Sequence, residues 1–89
     1  MLKTKKGFLF RKLGDEYVVV PIGAASRTFN GMIRLNATGA FFWEELAAGT
    51  TKDALVQKML ARYEGLDELT ARRDLQEFLD KIAVAIEEV

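Results

Sequence analysis

The chain has 89 residues, 49% of them hydrophobic, and its thirteen basic and thirteen acidic side chains give a formal net charge of zero. This length and composition fit a single folded domain over residues 1–89. A neutral chain has no general attraction to nucleic acid or to anionic membranes, so neither is expected as a partner.

The chain contains no cysteine, which excludes a disulfide framework and favours a reducing compartment. Its first ten residues, MLKTKKGFLF, place an apolar stretch after several lysines. That stretch is far shorter than the roughly 7 to 15 residues of a signal-peptide core, and no run approaches the ~20 apolar residues of a membrane span. We therefore expect a cytoplasmic protein without a membrane partner.

The first elements form a predicted β-hairpin. Residues 7–13 and 16–22 are rich in aromatic and β-branched side chains, and Gly14-Asp15 separates them. Pro21 cannot donate a ladder hydrogen bond, so it should end the second strand or lie on its open edge.

A loop over residues 23–31, with a turn at Asn30-Gly31, leads to a third short strand over residues 32–35. Alternation along this strand predicts two faces, with Ile33 and Leu35 on one and Met32 and Arg34 on the other.

The period then changes to that of a helix. Asn36 is a predicted N-cap, and Gly49 would end this first helix. Its apolar side is predicted to consist of Phe42, Trp43 and Leu46.

A second helix is predicted to begin with a capping-box pattern of Thr50 and Asp53 and to end near Gly65. Its apolar stripe contains Leu55, Val56, Met59, Leu60 and Tyr63.

Asp67 is the predicted cap of a third helix with one apolar side and one charged side. The apolar positions are Ala71, Leu75, Phe78, Leu79, Ile82 and Ile86. The last segment leaves two alternatives open: the helix continues to the end of the chain, or residues 83–86 form a terminal strand. Three strands followed by three helices predict an α+β fold, with the helices packed on a small antiparallel sheet.

Catalytic residue types are scarce, because the chain has neither histidine nor cysteine. The carboxylates of the third helix are expected to form a solvated face, with Glu77 and Lys81 as an i,i+4 ion pair. Neither a metal nor another cofactor is expected, and the protein is not expected to be an enzyme.

A winged-helix regulator that binds DNA is the alternative from another class. Arg72, Arg73 and Lys81 would lead such an interface. The acidic residues on the same helix, Asp74, Glu77 and Asp80, would oppose phosphate binding, which disfavours this function.

The third strand suggests a different use, since a short edge strand exposes backbone groups that can accept another strand. Apolar pockets beside such an edge would form a peptide groove. The alternatives are an ordinary core strand followed by a core helix, and an interaction module that dimerises through this edge.

Three segments in order, GDEYVVVPIG, FNGMIRLNATGAFFWEEL and GTTKDALVQKMLARYEGLDELTARRDLQEFLDKI, resemble the coenzyme PQQ synthesis protein D family. The resemblance covers the chain from about Gly14 to Ile82. Its most specific part is the strand-to-helix junction and the residues spaced after it: Leu35-Asn36, Thr38-Gly39, Trp43, Gly49-Thr50, Asp74, Phe78 and Leu79.

This resemblance implies a winged-helix-like recognition element for ribosomally made, post-translationally modified peptides, which is not a catalyst. Family members hold the leader segment of a precursor peptide as an added strand and present it to a modifying enzyme, commonly a radical SAM maturase. The implied peptide-binding residues lie on the third strand and the third helix: Met32, Ile33, Arg34, Leu35, Asp74, Leu75, Phe78 and Lys81.

We expect a monomer or a weak homodimer. Arg34 has an alternative role as a charge that discourages aggregation at the edge.

Overall fold

The computed structural model describes residues 1–27 and 31–89. The predicted loop is thus described only in part, and Asn30 of its predicted turn lies outside the described residues. The strands and helices are β1 (Leu2–Thr4), β2 (Phe8–Leu13), β3 (Glu16–Pro21), β4 (Ile33–Leu35), α1 (Ala37–Ala48), α2 (Lys52–Arg62), α3 (Glu68–Lys81) and β5 (Ile86–Glu88).

The main sheet is antiparallel and, within the described residues, has the strand order β2-β3-β4. The predicted hairpin is confirmed, and Pro21 is the last residue of β3. Gly14 takes a positive φ of 62° in the connecting turn, a conformation that glycine adopts without steric cost. In the order β2-β3-β4, β4 lies at one edge of the sheet.

The predicted alternation of the third strand is also confirmed. Ile33 and Leu35 are buried, whereas Met32 and Arg34 are exposed. In the ladder with β3, Arg34 lies opposite Val18. One face of β4 therefore contributes to the core, and its other face meets solvent.

Helix α1 begins where the sequence predicts. The side-chain oxygen of Asn36 accepts a hydrogen bond from the Gly39 amide at 2.8 Å, and Gly49 ends the helix with a φ of 91°. The ring of Trp43 stacks on that of Phe10 with centroids 6.4 Å apart, which joins the helix to the sheet. The predicted apolar side, Phe42, Trp43 and Leu46, is buried.

The predicted cap of the second helix is wrong by one residue. Thr51, not Thr50, accepts the capping hydrogen bond from the Ala54 amide, at 3.1 Å. Thr50 is buried, and its backbone exchanges two hydrogen bonds with Leu2, at 2.6 and 2.9 Å. Because this bridge holds Thr50 in an extended conformation, the helix begins one residue later.

Helix α3 is capped by Asp67 as predicted, through a hydrogen bond of 2.7 Å from the Thr70 amide. The helix ends at Lys81, so the alternative of a continuous helix is wrong. The other alternative, a strand over residues 83–86, has the wrong bounds: Ala83–Ala85 form a short 3-10 turn, and the terminal strand is Ile86–Glu88. Ile86 therefore belongs to β5 and not to the apolar stripe of the third helix.

A second, two-stranded sheet joins the two ends of the described chain, where β1 pairs antiparallel with β5. Strand β1 is not among the predicted elements, because its partner is more than 80 residues away. The core lies between the main sheet and the helices; its largest members with almost no exposed surface are Val19, Phe42, Leu46, Leu55, Val56, Met59, Leu75 and Ile82.

Candidate functional site

An open cleft of about 700 Å³ separates the edge strand β4 from helix α3. Its lining comes from the sheet side (Asp15, Glu16, Arg34, Leu35), from the junction with α1 (Asn36, Thr38, Gly39, Phe42) and from α3 (Asp74, Glu77, Phe78, Lys81). The helix residues follow the i, i+3, i+4, i+7 spacing that places side chains on one face of a helix. That face forms one wall of the cleft.

The orientation of the Arg34 backbone follows from one hydrogen bond. The ammonium nitrogen of Lys81 donates to the carbonyl oxygen of Arg34 at 2.7 Å, from the side of the cleft. In an antiparallel ladder the N–H and C=O of a residue point to the same side, and this side alternates along the strand. Arg34 therefore directs both backbone groups toward the free edge of β4, whereas those of Ile33 and Leu35 face β3.

The floor of the cleft is aromatic. The half-buried Phe78 ring packs on Phe42 with centroids 5.0 Å apart and planes inclined by 50°. Gly39 allows this approach, because a Cβ atom there would lie 3.1 Å from Cε1 of Phe78 and 3.2 Å from Cβ of Leu35. The absence of a side chain at position 39 therefore leaves the space that the Phe78 ring occupies.

The charged side chains of the cleft pair differently from the sequence prediction. The expected ion pair between Glu77 and Lys81 is not formed, because Lys81 binds the Arg34 carbonyl instead. The guanidinium of Arg34 lies 3.0 Å from the carboxylate of Glu16, with both side chains largely exposed. Such exposed pairs contribute at most about 1 kcal/mol of stability.

A smaller pocket of about 350 Å³ continues the cleft past the start of α1. Thr38 and Asp74 line both spaces, and Met59, Tyr63 and Leu66 add apolar surface to the smaller one. The hydroxyl groups of Thr38 and Tyr63 are 3.2 Å apart and share a hydrogen bond. An extended ligand could therefore run from the Arg34 end of the cleft to the Thr38 end.

The residues that the resemblance implied are only partly brought together. Arg34, Leu35, Asp74, Phe78 and Lys81 line the cleft. Ile33 is buried in β4, Leu75 packs in the core, and the exposed Met32 is not part of the lining.

Several lining residues were not singled out as binding residues by the sequence: Asp15, Glu16, Asn36, Thr38, Gly39, Phe42 and Glu77. Asn36, Thr38 and Gly39 belong to the most specific motif of the sequence, which was the available signal for them. Asp15 lies in the hairpin turn and Glu16 is the first residue of β3, and only the tertiary fold brings them to the cleft.

The residues described by the structure include no group of three or more His, Cys, Asp or Glu side chains that could hold a metal ion. Among residues 1–27 and 31–89, no helix has the length and the apolar character of a membrane span.

The fold and the cleft define a small α+β domain of winged-helix-like form, in which an edge strand faces a helix across an open cleft. The family model of coenzyme PQQ synthesis protein D (PqqD) matches residues 16–85, and the chain belongs to this family. A solved structure, TbiB1 in complex with the TbiA(beta) leader peptide, has the same fold, with a TM-score of 0.74 and 26% sequence identity. The match covers 91% of this chain and 87% of the TbiB1 chain. No curated protein matches the chain significantly.

Proposed function

We propose that this protein is a non-catalytic recognition element that binds the leader segment of a ribosomally synthesised precursor peptide by adding it as a strand to β4. The observation that carries this proposal is the free edge of β4, where the backbone of Arg34 points into a cleft floored by Phe78. The residues proposed to contact the peptide are those of the cleft, above all Arg34, Asp74, Phe78 and Lys81.

Strand addition suits the chemistry of this cleft. Backbone hydrogen bonds provide affinity for an extended peptide, and neighbouring pockets select its side chains. Arg34 offers one donor and one acceptor at the edge, while the half-buried Phe78 ring, which packs on the buried Phe42, offers an apolar surface for the peptide. Recognition of this kind needs neither a nucleophile nor a metal.

The comparisons support the same function. The family match covers β3 and β4 and all three main helices, the elements that build the cleft. TbiB1, which shares the fold, was solved with a leader peptide. We extend leader binding from TbiB1 to this chain because no other described strand pairs with the outer edge of β4, which lies beside an apolar floor.

The bound peptide would be presented to a modifying enzyme, for which a radical SAM maturase is the proposed class. The lack of cysteine fits the reducing cytoplasm as the place of this interaction. We propose that residues 1–89 act as one recognition domain, as a monomer or a weak homodimer.

The DNA-binding alternative finds less support. Arg72 donates to the carboxylates of Asp53 and Glu68, at 3.0 and 3.3 Å, and Lys81 is engaged by the Arg34 carbonyl. These contacts occupy two of the three basic side chains that would have to meet phosphates.

An amide NMR titration tests the proposal, using leader peptides of precursors encoded beside the gene and a mixed-sequence DNA duplex. We expect peptide to shift the amide signals of β4 and α3, and DNA to leave them unchanged. Shifts with DNA alone would instead favour the regulator.

A pair of variants at one position separates backbone pairing from side-chain contact. Arg34→Pro removes the outward N–H, and proline is tolerated on an edge strand. Arg34→Ala removes the side chain but keeps the N–H. We expect leader binding to be lost in Arg34→Pro and mostly retained in Arg34→Ala, with circular dichroism confirming that both variants fold. Equal affinities of the two folded variants would contradict strand addition at this edge.

A further inference from the structure

We infer that the cleft selects a peptide segment in which a Lys or Arg side chain lies two residues from an apolar side chain on the same face of the strand. This inference rests on the proposed peptide-binding function and names the class of peptide that the site takes.

The cleft is acidic although the chain as a whole is neutral. Its ionisable lining consists of four carboxylates and two cations: Asp15, Glu16, Asp74, Glu77, Arg34 and Lys81. The local net charge is therefore −2. A concave surface with one excess sign attracts ligands of the opposite sign.

Both cations of the cleft are already engaged. Arg34 pairs with Glu16 at 3.0 Å, and Lys81 donates to the Arg34 carbonyl at 2.7 Å. The exposed side chains of Asp15, Asp74 and Glu77 form no hydrogen bond or ion pair with any described residue. Arg34 and Glu16 neutralise each other and Lys81 offsets one of the other three carboxylates, so the charge facing a ligand stays negative even where an added strand displaces Lys81 from the Arg34 carbonyl.

Spacing along α3 converts this charge into a sequence pattern. Asp74 lies one turn before Phe78, which is about 6 Å along a helix axis. Side chains two residues apart on a strand point to the same face and are about 6.6 Å apart. A peptide strand alongside α3 can therefore place an apolar side chain on Phe78 and its next same-face side chain beside Asp74 and Glu77.

The charge preference is expected to be modest, because exposed carboxylates are screened by water and salt. Exchange of the basic peptide residue for a neutral one should weaken binding by about three- to fivefold at low ionic strength. Added salt should reduce this difference in affinity between the basic and the neutral peptide, mainly by slowing the association of the basic peptide.

A displayed library of random 12-residue peptides provides a probe that assumes no particular precursor. The library is sorted on the wild-type protein, on Asp74→Asn/Glu77→Gln, and on a control with the same change in charge, Glu44→Gln/Glu87→Gln. The control residues are exposed and lie outside the cleft. Selected peptides are then measured against Arg34→Pro, to identify those that need the edge of β4.

We expect edge-dependent peptides from the wild type and the control to be enriched in Lys or Arg two positions from an apolar residue, and those from Asp74→Asn/Glu77→Gln to lack this enrichment. Edge-dependent peptides without a basic preference would overturn the charge inference and leave the proposed function intact. A selection that yields no edge-dependent peptide would overturn both.

Discussion

The ammonium group of Lys81 donates a hydrogen bond to the backbone carbonyl oxygen of Arg34 over 2.7 Å, and this bond connects the last turn of α3 to the free edge of β4. The same carbonyl is the acceptor that an added strand would use. An uncovered strand edge pairs readily with other chains, and lysine is a common means of preventing this. Lys81 therefore covers the edge while no peptide is bound.

Replacing Lys81 by Met tests this role. Lys81→Met removes the donor and the charge but keeps a long aliphatic side chain, so we expect concentration-dependent dimers formed through β4. Lys81→Arg, which keeps both charge and donor, should remain as monomeric as the wild type. Sedimentation velocity over a concentration series measures the difference, and equal sedimentation of all three proteins would contradict the role.

The absence of a side chain at Gly39 is expected to control the shape of the cleft. In Gly39→Ala, the new methyl group must displace the Phe78 ring, from which it would lie only 3.1 Å away. A helical Gly to Ala change contributes up to about 1 kcal/mol of stability, which should largely offset the crowding. We therefore expect a free energy of unfolding within about 1 kcal/mol of the wild type, but weaker leader binding.

Urea denaturation and isothermal titration calorimetry measure these two quantities. The exposed Ala47 of α1 provides the opposite control, because Ala47→Gly should destabilise the helix without changing the affinity. Unchanged affinity in Gly39→Ala would show that the position of Phe78 does not determine binding.

Two phenylalanines that both contact Phe42 separate binding from packing. Phe78 lines the cleft, whereas Phe41 packs on Phe42 at 5.7 Å and lies under the guanidinium of Arg62. Both rings are partly buried, so Phe78→Ala and Phe41→Ala should each lower the free energy of unfolding by roughly 2 kcal/mol.

Only Phe78→Ala should also weaken peptide binding, by at least about tenfold if the ring contributes 1.4 kcal/mol or more. Calorimetric titration at a temperature where both variants are fully folded provides the comparison. A similar loss of affinity in both variants would indicate that general destabilisation, not the cleft, is responsible.

Local chemistry made much of the fold predictable. The apolar alternation at Ile33 and Leu35 and the stripe of α3 are periodic patterns that can be read over a few residues, and the Asn36 cap is a contact between residues that are near in sequence. The cap of α2 was misplaced because a distant strand residue, Leu2, holds Thr50 extended. The β1–β5 sheet was not predicted for the same reason.

The cleft could be predicted only in part. The strand-to-helix motif and the resemblance pointed to Arg34 and Phe78, but periodicity could not tell which flank of α3 faces the strand. The orientation of α3 places Asp74, which the resemblance implied, and Glu77, which it did not, in the cleft. It places Leu75, which the resemblance also implied, in the core. The closeness of Gly39 to Phe78 arises from the packing of α1 on α3, which no local pattern encodes.

The cap of α3 should make stability dependent on pH. The Thr70 amide donates to the carboxylate of Asp67 at 2.7 Å, and this hydrogen bond lowers the pKa of Asp67 below its ordinary value. Because the pKa is lower in the folded state, the ionised cap stabilises the protein above the pKa of the unfolded chain. This contribution is lost as the pH falls below about 4 and through the folded-state pKa.

Asp67→Asn keeps a capping oxygen but does not titrate, and asparagine is a good N-cap. We expect the wild type to be more stable than Asp67→Asn at pH 7, and this difference to shrink as the pH is lowered from about 4 to 2.5. Urea denaturation followed by circular dichroism at several pH values measures it, and comparing the two proteins at each pH cancels the titration of the other carboxylates. A difference that stays constant down to the lowest pH would mean that the ionised cap does not contribute to stability, because the protonated wild type would then keep the same advantage.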